Sequence, residues 1–138
     1  MIQEATTDEE IASTFSVMRQ LRLQLADDEY LETIKRMQRR GYRLAAVTEC
    51  GETRCVAGFR IIGFLAYGKF LYVDDLVTAE DTRSGGHGKR MLDWLTSLAR
   101  EEGCTQLQLD SSVQRHDAHR FYFREGMKIS SYHFSMVL

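Results

Sequence analysis

Gly85, Gly86 and Gly88 crowd the stretch Arg83-Ser84-Gly85-Gly86-His87-Gly88-Lys89-Arg90, and basic residues stand at both its ends. An apolar helical stripe of Met91, Leu92, Leu95, Leu98 and Ala99 follows directly. A helix N-terminus leaves up to four backbone N–H groups unpaired and carries about half a positive charge. A strand feeding such a terminus through glycines makes an anion site, because residues without Cβ let the backbone approach phosphate oxygens closely. Arg83, Lys89 and Arg90 add cationic donors. The same residues would also make a plain βα turn in which glycine only permits tight packing. Two common phosphate patterns fail. No Gly-Lys-Ser or Gly-Lys-Thr is present, and Gly86-x-Gly88 is followed by Met91 where a dinucleotide loop needs glycine.

The elements around the loop can be read from periodicity. Ile2 to Ala5 is a short strand. Thr7-Asp8-Glu9-Glu10 is a capping box that starts a helix with the stripe Ile11, Phe15, Met18 and Leu21. A second helix starts near Asp27 or Asp28, carries Leu31, Ile34 and Met37, and ends in Arg39-Arg40 before Gly41. Tyr42 to Thr48, Cys55 to Tyr67 and Phe70 to Thr78 read as an antiparallel meander, with a bulge expected near Gly58 or Gly63. The glycine loop and its helix follow, then a strand at Thr105 to Leu109, a helix from about His116 to Gly126, and a last strand over roughly Lys128 to Val137. The strand–loop–helix–strand unit from Phe70 to Leu109 predicts a right-handed parallel crossover. This is one domain over residues 1–138 in the α/β class, of α+β type: a single mixed, mostly antiparallel sheet flanked by helices.

The run Arg83-x-x-Gly86-x-Gly88, after an apolar strand and opening an amphipathic helix, resembles the acetyl-CoA pyrophosphate loop of the GNAT N-acetyltransferase superfamily. The run from Ala118 to Met127, with Tyr122 and Gly126, resembles that family's signature near the C-terminus, and the order of elements is similar over nearly the whole chain. The resemblance implies acetyl-CoA as co-substrate and direct acetyl transfer to a primary amine, on a small molecule or a protein. It implies that Leu76, Val77 and Thr78 present backbone groups to the pantetheine arm, with the Leu76 N–H polarising the thioester carbonyl. It sets the pyrophosphate on the amides of Ser84, Gly85, Gly86, His87, Gly88 and Lys89 beside Arg83. The order Ser84-Gly85 departs from the more usual glycine-then-variable order. Arg115 stands where the family often has an asparagine that binds CoA, and could meet a phosphate instead. Tyr122 matches the tyrosine that protonates the leaving thiolate; as a bare residue it also reads as a core aromatic.

An amine acceptor is mostly protonated at neutral pH, so the reaction needs a proton acceptor. Asp74 and Asp75 lie side by side on the strand before the loop. Neighbouring strand residues face opposite ways, so one of them is expected in the cleft. Asp74 matches the position where similar enzymes often carry a base, and Asp75 is taken as a substrate ligand or structural partner. Both could also be merely paired or solvated carboxylates, and His116 or His119 could serve as an alternative base. With Asp27, Asp28 and Glu29, they could draw a cationic amine such as a polyamine, an aminoglycoside or a protein lysine.

Composition narrows the classes. The net charge of −2 gives no basic field for nucleic acid, and no apolar run approaches membrane-spanning length. The N-terminus shows no secretory pattern. Cys50, Cys55 and Cys104 are odd in number and lack metal-site spacing, which reads as reduced cytoplasmic thiols and no metal. Dimers are common among proteins of this kind, so a homodimer is one expected state. Two other readings are a non-catalytic acyl-CoA-binding or sensing module of the same fold and a nucleotide-phosphate protein unrelated to CoA. Asp74, Asp75 and Tyr122 together favour an enzyme, since a pure binder needs none of them.

Overall fold

The computed structural model describes residues 1–83 and 85–138. The chain divides into two compact units, Met1–Gln108 and Leu109–Leu138. Within the first, the order is β1 (Ile2–Glu4), α1 (Asp8–Ser13), α2 (Phe15–Leu21), α3 (Asp27–Gln38), β2 (Arg43–Glu49), β3 (Glu52–Phe64), β4 (Gly68–Thr78), a 3-10 turn at Glu80–Thr82 and α4 (His87–Glu101), reaching β5 (Gln106–Leu109) at its end. The second unit carries α5 (His116–Arg124). The five strands form one mixed sheet in the order β1-β2-β3-β4-β5, and the first four pair antiparallel in sequence. This is the expected α/β architecture.

The capping box forms as predicted: Glu10 N–H donates to Thr7 Oγ1 and Thr7 N–H donates to Glu10 Oε1. The helix it starts is broken by Thr14, whose hydroxyl donates to the Ile11 carbonyl at 2.6 Å. A threonine bonding back to its own helix competes with the backbone ladder. Thr14 Oγ1 also lies 2.7 Å from the hydroxyl of buried Tyr30, which ties α2 to α3 and explains why a polar residue is kept in the core.

The core is double-sided. Ile11, Met18, Tyr30 and Ile34 from α1–α3 pack with Tyr42, Leu44, Val56 and Val77 on one face of the sheet. α4 covers the other, where Trp94 meets Phe59 edge-on with ring centroids 6.2 Å apart. Trp94 is thus a packing residue. Burial raises the Cys55 thiol to about 11, so it stays a neutral core group.

The register of β3 and β4 carries one irregularity that governs the site. Arg60 stands opposite Tyr72 and Phe59 opposite Val73, but Gly58 stands opposite Asp75. Asp74 is therefore an extra residue on β4, a bulge set against Gly58, one of the two glycines where a bulge was expected, but carried by the partner strand. Gly58 is required there. A Cβ on it would stand 1.8 Å from the Tyr42 hydroxyl oxygen and 2.6 Å from Asp75 Oδ2.

One expectation fails. No strand forms over residues 128–138. The alternation of Tyr132, Phe134 and Met136 gives the right propensity, but a strand also needs a ladder partner, and the second unit offers this segment none.

Gly58→Ala or Gly58→Val must push Tyr42 off Asp75. Overpacking of this kind costs about 1–3 kcal/mol. The expected result is a lower urea midpoint with an unchanged slope; a wild-type midpoint would contradict the packing described.

Candidate active site

The bulge decides where the two aspartates point. Side chains two apart on a strand share a face, so Asp74 faces with Tyr72, and the extra residue brings Asp75 to the same face opposite Gly58. The expectation that only one of the pair would face the cleft is thereby corrected. Both carboxylates sit on the face covered by α1–α3, beside Tyr42 at the start of β2.

Each carboxylate is paired. Arg60 donates from Nε to Asp74 Oδ1 and Oδ2 at 3.1 and 3.0 Å, and its Nη2 lies 2.9 Å from Oδ2. Arg22, at the C-cap of α2, donates from Nε to Asp75 Oδ1 at 2.8 Å and from Nη2 to the Asp74 carbonyl at 2.9 Å. The Tyr42 hydroxyl donates to Asp75 Oδ2 at 2.8 Å. The Arg60 guanidinium rests over the Tyr42 ring, 5.4 Å from its centroid. Burial first, then the Asp75 charge, raises the Tyr42 phenol well above its usual range. It therefore stays protonated and acts as a donor.

Asp74 is half-buried, and its pKa lies above the ordinary aspartate value. Desolvation is the larger cause and outweighs the opposing hydrogen bond and charge of Arg60. A carboxylate so placed is a better proton acceptor than a free surface aspartate. The pairing of both residues also means that the structural role foreseen for them is present.

Sequence reasoning did not single out Arg22, Tyr42 or Arg60. Arg60 had a readable signal: it follows Gly58 by two residues and so shares its face. Arg22 had none, because it arrives from 53 residues away through the fold of α2 onto the sheet.

Beyond the aspartates, Leu76 and Thr78 are half-buried and Val77 is buried, all still in register with β3. The chain then makes its 3-10 turn and enters the glycine loop. Arg83 and Gly85 are exposed, and Ser84 lies outside the described residues. Gly86 is the N-cap of α4 with φ +77°, a left-handed conformation that suits glycine. Among the described residues no side chain caps α4, and its first turn holds no acidic residue. The positive end of this 15-residue helix, entered through glycine, has the character that suits an anion. A Cβ on Gly86 would meet nothing within 4 Å, so space is open above it.

His87 turns inward. Its side chain is buried, and a Cβ on Gly85 would stand 2.9 Å from His87 Nε2, so the loop backbone rides on the imidazole. His87 Nδ1 has no hydrogen-bond partner among the described residues; Glu49 Oε2 lies 3.6 Å away, and Arg90 Nη1 lies 3.5 Å from that same oxygen. Lys89 pairs with Asp93 one turn on, at 3.1 Å. Gly88 is half-buried within the first turn.

In the second unit, Tyr122 lies on α5, half-buried beside Phe121, with ring centroids 5.5 Å apart. Arg115 is the N-cap of the same helix and is exposed. His119 Nε2 lies 2.8 Å from the Ser112 carbonyl, a local structural bond, and its ring lies near that of His116. Among the described residues, no group of His, Cys, Asp or Glu is arranged to hold a metal ion.

A family model for the acetyltransferase (GNAT) family matches residues 8–127. The chain is 36% identical over 135 residues to an uncharacterized N-acetyltransferase, YhdJ, of Bacillus subtilis, covering 96% of this chain and 95% of that one. It is 36% identical over 66 residues to the aminoalkylphosphonate N-acetyltransferase of Salmonella typhimurium, covering 48% of this chain and 43% of the relative. Among solved structures, an aminoglycoside N-acetyltransferase, AAC(6')-Iy, in complex with CoA superposes with a TM-score of 0.85 at 14% identity, over 100% of this chain and 93% of that one. That last likeness is one of fold. The uncapped glycine-fed helix, the strand before it and the near full-length match to a named N-acetyltransferase agree, and the chain belongs to the acetyltransferase (GNAT) family.

Proposed function

We propose that the protein transfers an acetyl group from acetyl-CoA directly to a primary amine. The observation that carries this is the uncapped, acid-free N-terminus of α4 behind left-handed Gly86, on the same unit as the desolvated Asp74. Bound acetyl-CoA would supply the thioester. The amides from Gly85 to Lys89, with that of Ser84, would hold its pyrophosphate, with Arg83 beside them and Arg115 on a phosphate. Leu76, Val77 and Thr78 would receive the pantetheine arm, and the Leu76 N–H would stabilise charge developing on the carbonyl oxygen. Asp74 takes a proton from the ammonium, freeing the lone pair. The C–N bond forms as the C–S bond breaks, and Tyr122 protonates the departing sulfur. Two protons leave nitrogen and one ends on the thiol, so one is released to solvent. Asp75, held by Arg22 and Tyr42, is a positioning carboxylate. The cysteines are all free, which fits a reducing, cytoplasmic setting.

Calorimetric titration with acetyl-CoA and a thiol-release assay over a broad amine panel test this reading. Binding with turnover is expected. Binding without thiol release for any amine would overturn it in favour of a sensing module. Gly86→Val disfavours φ +77°, so the loop relaxes away from it, and restoring that geometry on binding at about 1–2 kcal/mol corresponds to roughly tenfold weaker acetyl-CoA binding. Gly88→Val, inside the first turn of α4, is also expected to weaken binding, there by placing a branched side chain beside the amides. His87→Ala should cost stability but far less affinity, because its side chain faces inward. Equal affinity losses in all three would contradict the backbone role of the loop. Tyr122→Phe should keep the fold and lose about 10²-fold or more in kcat; an unchanged kcat would end the general-acid assignment.

A further inference from the structure

Asp74 and Asp75 were expected to draw a cationic acceptor. Their surroundings point the other way. Each carboxylate is already matched by a guanidinium, Asp74 by Arg60 and Asp75 by Arg22. The order of exposure then sets what a ligand meets. The Asp75 side chain is 13% exposed and its partner Arg22 43%; Asp74 is 21% exposed and Arg60 30%. In both pairs the cation stands outside the anion. The bonds described use Nε and Nη2 of each arginine, and a guanidinium carries five N–H donors in a rigid fork. Such forks match the oxygens of carboxylates and phosphonates. The Tyr42 ring beneath Arg60 and the Tyr42 hydroxyl on Asp75 hold both pairs in place. A polyamine approaching this face would meet positive charge first.

The geometry points to an acceptor that carries an anionic oxyacid group, phosphonate or carboxylate, on the same small molecule as its amine, with Arg22 and Arg60 holding that group. The inference rests on the acetyltransferase reading and adds the substrate class to it. The amine then lies toward Asp74, which stands inside its partner Arg60, while the anion stays at the exposed guanidinium edges. Arg22 and Arg60 become specificity residues as well as partners of the aspartates.

The experiment is a thiol-release assay with acetyl-CoA and four acceptors of similar length: 3-aminopropylphosphonate, 4-aminobutyrate, butylamine and putrescine. For the wild-type chain, kcat/KM for the two anionic amines should exceed that for the other two by about tenfold or more, as one charge-assisted contact allows. Arg22→Gln and Arg60→Gln should each shrink that ratio. The ratio within one variant is the readout, since general damage to the fold lowers all four rates together. If either variant fails to fold, the wild-type panel still decides. A larger advantage for phosphonate than for carboxylate would name the group. Equal rates for all four, a preference for putrescine, or an unchanged ratio in both active variants would overturn the inference while leaving the acetyltransferase reading intact. Thiol release from none of them, nor from a broader amine panel, would instead overturn that reading, and this inference with it.

Discussion

Side chains alternate along a strand, so two neighbouring aspartates on β4 belong on opposite faces unless the ladder slips. It slips at Asp74. One extra residue, set against the Gly58–Phe59 step of β3, turns Asp75 to the face that Asp74 already occupies. The rest of the site follows from that residue. Two carboxylates on one face repel, and each needs a cation. Arg60 comes from the paired strand and Arg22 from the end of α2. Tyr42 fills the space that Gly58 leaves and donates its hydroxyl to Asp75. Bulges tend to lie beside active sites because they re-aim a side chain without breaking the sheet. Here the bulge lies on the strand that leads into the glycine loop.

The loop works by a different kind of economy. Backbone geometry adds to its positive character: a left-handed glycine and, among the described residues, no side-chain cap and no acid in the first turn of α4. The side chain at its centre is directed inward. The His87 imidazole lies under Gly85, and Glu49 at the end of β2 stands near it and also meets Arg90 of α4. The loop is shaped from below by a packed side chain. The contact between Gly85 and the imidazole leaves no room for a Cβ at that position.

Much of this architecture was readable without coordinates, and what was readable was local. Periodicity located every strand of the meander, and composition located the capping box of Thr7 and Glu10. The interruption at Thr14 was missed because a continuous stripe of Ile11, Phe15, Met18 and Leu21 masks a single hydroxyl that bonds backward. The last strand was over-read for the opposite reason, since alternation in Tyr132, Phe134 and Met136 records propensity and not pairing. Asp74 and Asp75 were visible as chemistry, but their shared face was not. A bulge at Gly58 could be foreseen; which strand would carry the extra residue could not, because that depends on register. Arg22 was beyond reach, since nothing near it in sequence says that the end of α2 will lie against β4.

The account stands on Asp74 being the proton acceptor on the face that the bulge creates. Asp74→Asn keeps size and shape while removing the base, so kcat and the affinity for acetyl-CoA, measured on the same preparation, separate chemistry from binding. The account predicts a fall in kcat of about 10²–10⁴-fold with acetyl-CoA affinity nearly unchanged. A variant that binds acetyl-CoA normally and turns over at the wild-type rate would contradict it.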